Sequence, residues 1–151
     1  MTTYKVKLVS QTNAAILIVG VLTVFICGVL YFIPHGAGSN GSAWLVTAVS
    51  FGVVYFLWQR FVTGRTEWTI DANEISIIWT KKFPFSGEID LTIKWDNVKE
   101  ISKGPDPQYY CLRIKLVSGM TIKFYHDSLT TRDDFEECLK TLNQIFGEKS
   151  K

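Results

Sequence analysis

The chain is 151 residues long, 47% hydrophobic and 20% charged, with a formal charge of +2. That length leaves room for one modest domain beside any membrane segment. The small net charge, with both signs interspersed, excludes the concentrated positive field that nucleic-acid binding needs.

Residues 1–13, MTTYKVKLVSQTN, alternate Tyr4, Val6 and Leu8 with Lys5 and Lys7, a period of two. They read either as a short strand added to a later domain or as a mobile, interfacial N-terminal segment. The general behaviour of chain termini favours the second reading. The stretch 14–33, AAILIVGVLTVFICGVLYFI, contains no charge, Asn or Gln. As a helix it spans about 30 Å, the thickness of a bilayer's hydrocarbon core. It is too long for the apolar region of a cleaved signal, and a second apolar run follows, so it reads as an anchor.

Residues 34–42, PHGAGSNGS, form an uncharged turn in which His35 is a solvent-facing loop residue. The second span is 43–62. Trp44 and Trp58 bracket it as interfacial aromatics, and Arg60 reaches from its end to water. Ala48 and Gly52 form a small-xxx-small pair that can seat one helix on another. Lys5, Lys7, Arg60, Arg65, Lys81 and Lys82 lie on one side of this hairpin, and the turn on the other side has no basic residue. The positive-inside rule then places both termini in the cytoplasm, with a multi-pass anchor in the inner membrane.

From Gly64 the period becomes two. The segments 65–70, 75–81, 89–95, 98–102, 109–117 and 120–125 read as strands. Ile89, Leu91, Ile93 and Trp95 share one face of the clearest of them, and Tyr110, Leu112, Ile114 and Leu116 share one face of another. The segments 71–74, 82–87, 103–108 and 118–119 are turns or loops. Phe135, Cys138, Leu139, Leu142, Ile145 and Phe146 then recur at helical spacing. Thr130 or Thr131 caps that helix, Asp133, Asp134, Glu136 and Glu137 favour its dipole, and Gly147 ends it before a polar tail, 148–151. All 14 acids lie at or after Glu67, so the domain 64–147 is close to neutral. Cys27, Cys111 and Cys138 form no CxxC pattern and are expected as free thiols in a reducing compartment.

The fold class is therefore α+β: a two-helix transmembrane hairpin followed by an antiparallel β-sandwich or barrel, with a C-terminal helix capping the open apolar face. The segments EWTIDANEISI (67–77), IKWDNVKEI (93–101), YCLRIKLVSGMTIKFY (110–125) and the closing helix resemble the bacterial PH-like domains of small two-span membrane proteins, the YcxB-like group. Trp95-Asp96-Asn97-Val98 matches the family's pattern near mid-domain. The resemblance covers about residues 65–147. It implies a PH-like fold and carries no catalytic residues. Phosphoinositide-binding PH domains have a basic cluster between their first two strands. The equivalent loop here, 71–74, is acidic.

His126-Asp127 is the only histidine beside an acid, but neighbours on a strand point opposite ways. A productive dyad there, or one with Ser128 or Cys111, is not expected. No P-loop, dinucleotide or zinc-protease motif occurs, so no cofactor, metal or small-molecule substrate is expected. The candidate partner or membrane-surface residues are Lys81, Lys82, Phe83 and Phe85. The lysines can touch anionic headgroups. The aromatics flank Pro84, either inserting into the bilayer surface, holding a partner or packing in the core. The reading that follows is a non-enzymatic, membrane-anchored module that binds a protein partner or a second copy of itself. The alternatives are an immunity or regulatory protein against a membrane-acting toxin and, last, a lipid-binding or enzymatic module.

Overall fold

In the computed structural model, residues 1–35, 40–84, 86–105, 110–126 and 133–149 are described, with no side-chain account of 29–35, 40–46 or 105. The chain divides into two units: one formed by Met1–Val9 with Thr63–Lys151, the other by Ser10–Val62.

The first unit is a seven-stranded antiparallel sheet with a helix. Its strands are β1 (Thr2–Val9), β2 (Thr63–Ile70), β3 (Glu74–Lys81), β4 (Leu91–Lys94), β5 (Val98–Pro105), β6 (Tyr110–Leu116) and β7 (Thr121–His126). Their order is β4-β3-β2-β1-β7-β6-β5. The N-terminal segment is thus the central strand and not a lead-in. Tyr4, Val6 and Leu8 are buried, and the alternation seen in the sequence is that of a strand with one face in a core. β1 pairs with β2 along its whole length, from Thr2 opposite Ile70 to Val9 opposite Thr63. The domain therefore does not simply follow the apolar helices; they are inserted between two of its paired strands.

The sheet folds over a single core. Trp68 on β2 meets Phe124 on β7 edge to face, with ring centroids 4.8 Å apart. The two edge strands, β4 and β5, are joined by a 3-10 turn, Trp95–Asn97. Trp95 is buried there and donates its indole N–H to the Asp71 carbonyl at 2.8 Å. The regular strand is thus shorter than the alternation 89–95 suggests, and Ile89 is exposed. Tyr110 is likewise exposed, while its neighbour Cys111 is fully buried. The β6–β7 turn contains Gly119 at φ 90°, a conformation that L side chains rarely adopt.

The closing helix α3 (Phe135–Lys149) buries Phe135, Cys138, Leu139 and Leu142. Its other face is polar, as its spacing predicts, and Tyr4 Oη lies 2.7 Å from Thr141 Oγ1. The helix passes Gly147 and ends at Lys149. Thr130 and Thr131 lie outside the described residues. The residue before the first turn is Asp134, whose carbonyl accepts the Cys138 N–H at 2.8 Å.

The second unit holds α1 (Gln11–His35) and α2 (Asn40–Leu57), the latter continued by a π-helical turn, Trp58–Val62. At 1.5 Å per residue α1 is about 37 Å long. Its window Gln11–Gly28 has a mean hydropathy of 1.9 and is long and apolar enough to cross a membrane. Its apolar side chains are open: Ile16, Val24 and Phe25 are more than half exposed. A core helix of a soluble protein hides such a surface. Among the described side chains of α2, Val49, Phe51, Val53 and Phe56 are also exposed. Among the described residues, α1 is the one helix that meets the criteria for a span. Of the turn expected at 34–42, Pro34 and His35 belong to α1 and Asn40 to Ser42 to α2, while 36–39 and the Trp44 side chain lie outside the described residues. Where the two helical segments meet the strands, Ser10 donates its backbone N–H to the Val62 carbonyl at 3.0 Å.

Candidate functional site

Two features of the sheet unit hold its chemistry. The first is a buried histidine–carboxylate pair. His126 ends β7 on the core-facing side, opposite Leu8 of β1 and Tyr110 of β6. Its Nε2 lies 2.9 Å from Asp133 Oδ2 and 3.0 Å from Oδ1. Its ring stacks on Phe135 at 4.0 Å with an interplanar angle of 4°. Asp133 also accepts the Lys7 N–H at 2.9 Å, and Asp134 accepts the Lys5 N–H at 2.8 Å. The Asp134 N–H in turn donates to the Lys5 carbonyl at 3.0 Å.

Among the described residues β1 pairs with β7 at Leu8 opposite His126. Two aspartates just ahead of α3 accept the backbone N–H groups of Lys5 and Lys7, which need acceptors as all backbone donors do. Burial alone would raise the Asp133 carboxyl. The His126 and Lys7 hydrogen bonds outweigh it and hold the group below the usual carboxylate range. The pair thus fastens the end of β7, the middle of β1 and the start of α3. His126 Nδ1 is buried without a partner among the described residues.

The sequence expectation that His126 forms no dyad with Asp127 or Ser128 falls on residues that lie outside the described ones. The acid that His126 does meet, Asp133, is one the sequence offered only as a helix-start charge. Cys111 sits opposite Tyr125, one position away from the His126 pairing. Burial, with the charges of Asp134 and Asp133 behind it, pushes the Cys138 thiol up to about 12, so it is no nucleophile at neutral pH. Among the described residues no cluster of three or more His, Cys, Asp or Glu is placed to hold a metal.

The second feature is a groove of about 520 Å³ on the outer face of the sheet. Lys5, Lys7, Arg65, Glu67 and Thr80 line it, with Asp133 and Asp134 at its margin. Cross-strand register sets its charge pattern. Lys7 opposes Arg65 on β2, and Arg65 opposes Lys81 on β3. A β-bulge is responsible for the second pairing: Thr66 opposes Trp79, but Arg65 opposes Lys81, which leaves Thr80 as the extra residue. Thr80 Oγ1 donates to the Arg65 carbonyl at 3.2 Å. Both acids at the margin have their carboxylates bound to β1 backbone. Among the described residues no carboxylate lies within 4.0 Å of the Lys5, Lys7 or Arg65 cation.

Of the four residues singled out from the sequence, Lys81 joins this row and Lys82 is exposed beside it. Phe83 does not belong to a surface. It is 7% exposed and packs edge to face on Trp79 at 5.2 Å. The physical reason is Gly64: with no side chain there, the Phe83 and Trp79 rings fill the space where its Cβ would stand. Phe85 lies outside the described residues. In the sequence Lys5, Lys7 and Arg65 are markers of orientation, and Lys5 and Lys7 residues within reach of lipid headgroups; nothing local shows that the three are neighbours.

No family model matches the chain, and no curated protein matches it.

Proposed function

We propose that this chain is a membrane-anchored, non-enzymatic interaction module. In this reading α1 and α2 cross the cytoplasmic membrane as a hairpin. Both termini and the sheet unit lie in the cytoplasm, and the sheet unit, of PH-like type, engages a protein partner or a second copy at the membrane face. The observation that carries it is the insertion of the apolar segment between β1 and β2. Val9 and Thr63 are paired, so the chain leaves the sheet and returns to it at one place. An apolar segment that starts and finishes on one side of a bilayer crosses it an even number of times. Two helical segments provide for two crossings. The basic residues Lys5, Lys7, Arg60, Arg65 and Lys81 near those ends favour the cytoplasmic side.

The non-enzymatic part of the reading rests on how the buried His126–Asp133 pair is used. The Asp133 oxygens hold the Lys7 N–H and His126 Nε2, fastening the approach to α3.

Two measurements test the proposal. In a Cys27→Ser background, Ser39→Cys is expected to react with an impermeant maleimide outside intact cells, and Lys151→Cys is not. The reverse pattern refutes the topology. Crosslinking in native membranes, read by mass spectrometry, is expected to join the sheet unit to another protein or to a second copy. Crosslinks confined to one chain at all crosslinker lengths would remove the partner from the reading.

A further inference from the structure

We infer that two copies of this chain pair through β5, antiparallel about a two-fold axis at Ser102, with Glu100 of each copy meeting Arg113 of the other. This pairing rests on the partner reading above and deepens it: the partner is a second copy, held in one register.

The two edges of the sheet differ. β4 is four residues long, and past its end Asp90 Oδ1 accepts the Trp79 N–H of β3 at 2.9 Å. β5 is eight residues long and, among the described residues, pairs with β6 alone. Alternate N–H and C=O groups of such a strand face away from its neighbour and are open to another strand. Its ends are blunted. A bulge between Val98 and Glu100 leaves Lys99 as the extra residue, and Pro105 has no N–H to give. The window 100–104 stays open.

Charge sets the register within that window. Directly opposed residues of an antiparallel pair share a face, and faces alternate along a strand. A two-fold axis normal to the sheet therefore passes through a residue and not between two. A centre at Glu100 or Lys103 sets that charge against itself, and a centre at Ile101 sets Lys99 against Lys103. A centre at Gly104 overlaps only 103–105. A centre at Ser102 opposes no like charges. It sets Ile101 against Lys103 and Glu100 against Gly104 of the other copy.

Arg113 makes that last pairing productive. It opposes Ser102 on β6, and its guanidinium leans over Gly104: a Cβ there would lie 3.8 Å from Cζ, 3.8 Å from Nη2 and 3.9 Å from Nη1. The cation thus stands over the edge strand at a position with no side chain. The residue that the second copy brings opposite Gly104 is Glu100, on the same face. Both groups are exposed, and among the described residues neither is in an ion pair. Within its own chain Arg113 opposes Lys123, a like charge, across β6 and β7. The two-fold supplies two Glu100–Arg113 contacts, and anchoring in one membrane raises the effective concentration of the copies.

The test uses the full chain, Cys27→Ser, reconstituted in phosphatidylcholine liposomes. Ser102→Cys puts two thiols at the axis, where opposed Cα atoms stand about 4.5–5.5 Å apart, within disulfide reach. Mild oxidation is expected to give a disulfide-linked dimer on non-reducing gels. Thr92→Cys, exposed on the other edge strand, is expected to stay monomeric. In the Ser102→Cys protein, Glu100→Arg alone or Arg113→Glu alone is expected to lose the dimer, and the two together to restore it. Tryptophan fluorescence checks that each variant is folded. A Ser102→Cys protein that stays monomeric, that crosslinks no faster than Thr92→Cys, or that keeps its dimer through either single reversal overturns the inference. A folded double reversal that fails to regain the dimer also overturns it. The same Ser102→Cys chain in native membranes separates this failure from that of the partner reading. A lysine-reactive crosslink to a different protein, with no disulfide dimer, leaves the partner reading standing and removes the β5 pairing; no crosslink of either kind removes both.

Discussion

His126 and Asp133 meet at 2.9 Å although they belong to different elements, one ending β7 and the other leading into α3. The same carboxylate holds the Lys7 backbone N–H. One side chain therefore joins three parts of the sheet unit, and its removal leaves a half-buried N–H and a buried imidazole nitrogen without this partner. Asp133→Ala is expected to destabilise the sheet unit by about 1–3 kcal/mol. Chemical denaturation followed by tryptophan fluorescence measures this, and an unchanged midpoint would show that the contact contributes nothing.

The same residue predicts an acid response. The Asp133 carboxyl is held below its ordinary value of 3.8, the His126 and Lys7 bonds prevailing over burial. A group with a depressed folded-state pKa contributes its stability above the unfolded value and loses it as pH falls through the folded one. Wild-type stability should therefore drop from about pH 5 downward. Asp133→Asn, which cannot titrate, should show a shallower drop over the same range. Parallel curves for the two proteins would contradict the assignment.

The Ser10–Val62 hydrogen bond marks where the helical insertion can be cut out. Replacing Gln11–Phe61 by Asn-Gly joins β1 to β2 through a two-residue hairpin turn, the loop length that a closing hydrogen-bonded pair accepts. The resulting protein is expected to be soluble and folded, with dispersed amide NMR signals. The fragment 63–151 alone, which lacks the central strand, is expected to be unfolded. A folded fragment would mean that β1 is dispensable.

Gly64 leaves no room for a side chain. A Cβ there would stand 2.8 Å from Trp79 Cζ3 and 2.9 Å from Phe83 Cε1. Gly64→Ala should cost about 1–3 kcal/mol through overpacking. Gly64→Ala with Phe83→Leu should recover part of that loss, and a pair of independent, additive effects would place the clash elsewhere.

Leu142 is fully buried on α3. Leu142→Ala is expected to cost about 2–5 kcal/mol, and Glu137→Ala on the exposed face close to nothing. Thermal melting of the hairpin-joined protein compares them, and equal melting points would mean that the helix does not seal the core.

Much of this architecture was legible because strands and helices write their periods locally. The alternations at 65–70, 75–81, 109–117 and 120–125 and the spacing from Phe135 to Leu142 translate into β2, β3, β6, β7 and α3. The place of β1 was not legible in the same way. Its period of two is visible at Tyr4, Val6 and Leu8, but the strand it pairs with lies beyond the whole apolar segment. Ile89 and Trp95 extended an alternation past the true strand because a 3-10 turn can bury a tryptophan as well as a strand can. The groove escaped because it depends on register across strands, and a one-residue bulge at Thr80 changes which cations are neighbours. The His126–Asp133 pair escaped because it depends on where the approach to α3 meets β1 and β7.

The insertion between β1 and β2 also orders events during synthesis. β1 leaves the ribosome first and finds no strand partner until all of Ser10–Val62 has followed, roughly 3–10 s later at bacterial and eukaryotic elongation rates. During that interval the apolar face of β1 is without the strand that pairs along its whole length. The sheet closes only after the second helical segment has been made. Until Thr63 returns to Val9, the central strand remains an unpaired edge. Completion of Ser10–Val62 and closure of the sheet are thus consecutive steps, joined at the pairing of two residues.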